Sequence, residues 1–156
     1  MEKRVEKELG LAGGKAVLVD VRLSQFLELH SFPSHFREVF TETDEGFGFY
    51  ELKPEENPDA AESDRIDIEL PKPITPGTRK KYQGGEIVVE AIEDVVVRAG
   101  KFVGCARVRF QFDDDANLFW FAPGVGMVRG FSESKDKDGR PKMEYELIQL
   151  SQSPGH

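Results

Sequence analysis

One cysteine, one tryptophan and three histidines are all that this 156-residue chain holds of those types. A lone Cys105 excludes an intramolecular disulfide and any cysteine-based zinc cluster. It stands in an alternating stretch with no histidine close in sequence, so it reads as a small buried hydrophobe rather than a nucleophile. Base is also scarce: 21 Lys and Arg face 29 Asp and Glu, a net charge of −8. Nucleic acid and anionic lipid both call for a basic surface, so neither is expected as a partner. Long apolar runs are missing as well. There is no transmembrane segment, and the opening MEKRVEKELGLAGGKAVLVDV has no apolar signal core, which by the chain as given sets a cytoplasmic expectation.

Chemistry-bearing motifs are equally sparse. No nucleophile elbow, P-loop, dinucleotide fingerprint or zinc-protease helix occurs. Gly124 and Gly126 precede no helix and make no phosphate loop. His30 and His35 flank a turn at residues 31–34, and His156 lies in the tail, so no metal set is evident. The carboxylate-rich loop at 53–64 lacks the ligand order of a calcium loop. Asp113, Asp114 and Asp115 point to alternating sides of an extended chain and read as a solvated turn. Glu90, Glu93, Glu144 and Glu146 could be paired by a sheet, which is no evidence of acid–base work. The expectation is a non-enzyme with no cofactor, no metal and no catalytic residue.

What the chain does have is aromatic β-sequence. Its 12 phenylalanines and 38% apolar content suit one globular domain. Residues 119–130, FWFAPGVGMVRG, read as a strand, a Pro123-Gly124 turn of type II and a second strand with a glycine-marked bulge. Trp120 lies between Phe119 and Phe121, so aromatic surface points to both faces. Alternation also marks strands at 15–23, 65–70, 86–93, 102–112 and 143–150, with a hairpin over 36–52 and a turn at Asp138-Gly139. Residues 24–30 are ambiguous between helix and strand. In 102–112, Ala106, Val108, Phe110 and Phe112 form the core face, with Arg107 and Arg109 toward solvent. Val5 and Leu9, four apart among mixed charges, allow a short helix or a frayed end. The fold expected is a single mostly-β domain over residues 1–156: a curved antiparallel meander of about nine to eleven strands, half-barrel or barrel. Residues 1–14 would be an extension with the short helix, and 151–156 a loose tail.

The order E-D-V-V-V-R-A-G-K-F (from Glu93), V-G-C-A-R-V-R-F, F-W-F-A-P-G-V-G-M-V-R and Y-E-L (from Tyr145) resembles a broad set of uncharacterised bacterial proteins. Many of these are exported or lipid-anchored. The similarity spans residues 71–150, with Arg98 where the family usually has proline and Phe121 where tyrosine is common. The resemblance implies the half-barrel of bacterial lipoprotein carriers, an apolar groove and an envelope location; it carries over no catalytic residue. Two functions follow. One is a non-catalytic binding module holding an apolar ligand or a peptide against an aromatic face, with Trp120, Phe110, Phe112, Phe121 and Phe49 as lining candidates. The other is a structural or protein-interaction domain with a filled core. An open apolar groove would favour the first, a packed interior the second. The sequence leaves the oligomeric state open.

Overall fold

The computed structural model describes residues 2–11, 14–22, 35–53, 55–57, 67–82 and 84–152. Among them the protein is mostly β, with twelve strands and no helix. The strands are β1 (Glu2–Leu11), β2 (Gly14–Arg22), β3 (His35–Glu42), β4 (Gly46–Leu52), β5 (Asp67–Pro71), β6 (Arg79–Tyr82), β7 (Gly85–Val97), β8 (Gly100–Phe112), β9 (Ala116–Ala122), β10 (Gly126–Ser132), β11 (Glu144–Glu146) and β12 (Gln149–Gln152). The meander is divided between two six-stranded sheets, each with an open strand order. The chain likewise forms two compact units, Met1–Glu69 with Gln149–His156, and Leu70–Ile148. The ambiguous stretch 24–30, the turn at 31–34, His30, His156 and most of the 53–64 loop lie outside the described residues.

In the first unit the order is β12-β1-β2-β3-β4-β5. The N-terminal stretch is a strand, not the short helix that the Val5 and Leu9 spacing allowed. An isolated helix of that length is marginal in water. As β1 the same residues pair antiparallel with β2 on one side and parallel with β12 on the other, which gives both edges of the backbone partners. The β3–β4 hairpin turns where expected: the Thr43 N–H donates to the Gly46 carbonyl at 2.7 Å. Val39 and Leu52 are buried, and Phe40 stands opposite Phe49 across the pair. In β5, Ile68 and Leu70 are buried while Asp67 is exposed, the alternation expected for a strand with one covered face.

The second unit is an antiparallel meander in which neighbours in sequence are neighbours in space, from β6 through β11. The turn at Pro123-Gly124 has Gly124 at φ 72° and closes with the Val125 N–H on the Ala122 carbonyl at 3.1 Å. The Asp138-Gly139 turn is held by the Asp136 carboxylate, which accepts from the backbone N–H groups of Asp138 and Arg140. Register shifts interrupt β7 between Val89 and Ala91 and between Glu93 and Val95, and β10 between Met127 and Arg129. Each shift is a bulge that turns one extra side chain onto a face it would otherwise miss.

Candidate functional site

Cross-strand register sorts the aromatic residues of the second unit onto two faces. Phe121 pairs with Ala106, Phe119 with Val108 and Asn117 with Phe110. These residues, with Phe112 and Tyr82, share one face. Trp120 pairs with Arg107 and Leu118 with Arg109, so they share the other. Four of the expected lining residues lie in this sheet: Phe110, Phe112 and Phe121 together, and Trp120 on the opposite side. Phe49 is a half-buried residue of β4 in the first unit's sheet.

The first face carries a continuous aromatic run. Ring centroids lie 5.8 Å apart from Tyr82 to Phe110, 5.0 Å from Phe110 to Phe119 and 6.4 Å from Phe119 to Phe121. These separations fall in the favourable range for tilted and edge-on aromatic pairs. Two glycines make room for it. A Cβ on Gly130 would sit 2.6 Å from Phe119 Cδ1, and one on Gly85 would sit 3.1 Å from Phe112 Cδ1 and 2.2 Å from the Gln111 carbonyl oxygen. On the same face Ile87, Val89 and Val108 are fully buried, and of the rings Phe110 and Phe121 are nearly so. This is the core face expected from the alternation of β8.

The second face is divided. Toward one end it is polar. The Glu90 carboxylate accepts from both Arg107 Nε at 3.1 Å and Arg109 Nε, and Arg109 also reaches Glu133 at 2.8 Å. The hydrogen bond that Arg109 donates to Glu90 is the main cause that raises its guanidinium pKa further. Glu90 reaches this face by plain alternation from Val88, which pairs with Arg109; the bulge between Val89 and Ala91 is what sets Glu93 on the same face as Glu90, three residues away, and nothing in the local sequence announces it. Toward the other end the face is apolar: Val95, Val97, Cys105, Leu118, Trp120, Ala122, Val128 and Leu147 form one cluster, with Phe102 and Phe131 against it.

Trp120 stands where the two halves meet, and it is 7% exposed. Its indole N–H donates to Glu93 Oε1 at 2.7 Å, and Arg107 Nη1 holds the same carboxylate oxygen at 3.3 Å. Phe131 stacks on the ring at 5.7 Å, and the Arg129 guanidinium lies 5.2 Å from its centroid. The cluster is capped by the chain that follows β11. Leu147, fully buried, donates its N–H to the Val128 carbonyl at 2.8 Å and accepts from the Ala99 N–H at 3.0 Å. One residue thus ties β10 to the turn between β7 and β8. Cys105 is fully buried in the same cluster, and loss of water around it pushes its thiol pKa up, the reverse of what a nucleophile needs.

An open cleft of about 340 Å³ lies along Gln111, Asp113, Asp114, Asp115, Ala116, Glu133 and Ser134. Asp115 is committed within it. Its Oδ1 accepts from the hydroxyls of Ser134 and Ser132 and from the Ala116 N–H at 2.8 Å. Those bonds, the Ser134 hydroxyl first, hold its carboxyl below the ordinary value. No group of three or more His, Cys, Asp or Glu side chains suited to a metal ion occurs among the described residues. No helix there is long and apolar enough to cross a membrane, which says nothing of strands that might.

No protein-family model matches the chain, and no curated protein matches it in sequence. Among solved structures, it is similar to a Bacteroides fragilis protein of YmcC-like fold, described as a candidate exported protein. The two are 17% identical, with a TM-score of 0.50 over 94% of this chain and 85% of that one. At that identity the likeness speaks for the fold alone.

Proposed function

We propose that this chain is a non-catalytic binding protein that engages a peptide or protein through its surface. The observation that carries this reading is the filling of the Trp120 cluster. A tryptophan lining an open groove presents a free ring face, whereas here Phe131, Arg129, Glu93 and the Leu147 cap occupy the indole's surroundings. Among the described residues, Glu90 and Glu93 are tied to arginines, Asp115 to its own turn, and Cys105 lies in apolar packing. The candidate exported status of the Bacteroides fragilis neighbour and the resemblance to envelope proteins support placing this role at the cell envelope.

A second reading has its own support. Tyr82 and Phe119, the half-buried rings of the run that also holds the buried Phe110 and Phe121, are what a lipoprotein-carrier-like fold would offer to an apolar ligand. Native mass spectrometry of the freshly purified protein, with organic extraction, separates the two. The surface reading expects the mass of the bare chain; an apolar compound that co-purifies overturns it in favour of the second.

A further inference from the structure

We infer that the outer edge of β6 is a docking site for an extended acidic segment of a partner protein, which joins this sheet as an added strand. The inference rests on the surface-binding reading and names the surface. Among the described residues, β6 ends the strand order of its sheet, with β7 as its neighbour. The phase of that ladder fixes which backbone groups are left over. The Val89 N–H donates to the Thr78 carbonyl at 2.9 Å and the Val89 carbonyl accepts from the Gly77 N–H at 2.8 Å, so Gly77 and Thr78 together face Val89 at a bonded position of the ladder. Antiparallel ladders alternate. In this register Lys80 with Ile87 and Tyr82 with Gly85 are therefore the next bonded pairs. The N–H and C=O groups of Arg79 and Lys81 then point away from β7, toward the open edge. They are the donors and acceptors that an incoming strand uses.

The side chains decide what kind of strand fits. β6 reads Arg79-Lys80-Lys81-Tyr82 in a chain whose net charge is −8. Arg79 and Lys81 are exposed on the polar face, while Lys80 and Tyr82 lie half-buried on the aromatic face. Arg79 meets Glu86 at 2.8 Å, but both side chains are largely solvated, so this pair yields readily to another carboxylate. A second copy of β6 would set like charges across from one another, which disfavours self-pairing. An acidic strand reverses that sign. The alternation calls for carboxylates on the residues beside Arg79 and Lys81, with apolar or aromatic residues between them, beside Tyr82.

The test uses the intact chain and a short blocked peptide alternating glutamate and valine, with a lysine–valine peptide as control. Amide hydrogen exchange is read by NMR. The acidic peptide is expected to slow exchange at Arg79 and Lys81, the effect weakening at high salt, while the basic peptide leaves both unchanged. Lys81→Pro removes one outward donor without touching the ladder to β7, and should weaken peptide binding by about fivefold or more. Should that variant unfold, Lys81→Glu gives the same direction of change with the backbone intact. Unaltered exchange at both amides, or an equal response to the basic peptide, overturns the inference. If the native mass is nonetheless that of the bare chain, the surface reading stands and only the site is wrong. A co-purifying apolar compound removes the reading itself.

Discussion

Replacing Trp120 tests the filled cluster directly. Trp120→Ala removes a nearly fully buried ring, its stack on Phe131, its contact with Arg129 and its hydrogen bond to Glu93. Truncating a buried aromatic costs about 3–5 kcal/mol through lost transfer energy and the cavity left behind. The contact with the exposed Arg129 is worth about 0.5–1 kcal/mol. The indole hydrogen bond adds less, because Glu93 keeps Arg107 and remains 38% exposed to water. We therefore expect a loss near 4 kcal/mol for Trp120→Ala and about 1 kcal/mol for Trp120→Phe, which keeps most of the ring. Urea unfolding followed by far-ultraviolet circular dichroism measures both without relying on the only tryptophan as the probe. In the parent chain that single indole should emit at short wavelength and resist iodide. A loss below about 1 kcal/mol for Trp120→Ala would show that the ring rests in an open groove, and the packing argument would fail.

Two further perturbations address the cap and the acidic turn. Leu147→Ala should destabilise by about 2–5 kcal/mol and should speed amide exchange at Ala99, whose N–H the residue-147 carbonyl accepts; unchanged Ala99 protection would refute the role of cap. Asp115 has a folded pKa held below its ordinary 3.8, so the stability it contributes is present above that value and lost as pH falls through the folded one. Ser134→Ala, which removes the first cause of that shift, should cost about 1 kcal/mol at neutral pH and reduce the sensitivity of unfolding to acid; an identical acid titration in the variant would refute the assignment.

Much of this architecture was legible because strand alternation is a local property. Ala106, Val108, Phe110 and Phe112 were readable as one face and Arg107 and Arg109 as the other, and the register bears this out. The Pro123-Gly124 turn was readable from the φ preferences of two residues. Phe119, Trp120 and Phe121 could be seen to point alternately. Grouping Trp120 with Phe110 and Phe121 in one wall nevertheless overlooked what that alternation dictates. The bulges in β7 were harder. Continuation past a bulge near Asp94 was expected. Glu90 faces Arg107 and Arg109 by alternation, but the shift that also turns Glu93 toward Arg107 and Trp120 depends on the pairing with β8. The first strand was misread for the same reason. Its mixed charges carry no strong local preference, and only β2 and β12 supply the bonds that make it extended.

The parallel pairing of β1 with β12 bears on the order in which the protein can be made. The strands β6 to β11 all lie, in sequence, between β5 and β12, so the second sheet interrupts the sequence of the first. As the ribosome delivers the chain, β6 through β11 have their partners close behind them and can pair as they emerge. β1 cannot complete its outer edge until Gln149–Gln152 arrive. Contacts of such long sequence separation form slowly. During that interval the newborn protein carries a finished second sheet and an unfinished first one, with β1 as a bare strand edge open to wrong pairing. A chain cut short before Gln149 would keep that edge permanently. The four-residue β12 therefore acts as a seal whose value is kinetic as much as thermodynamic.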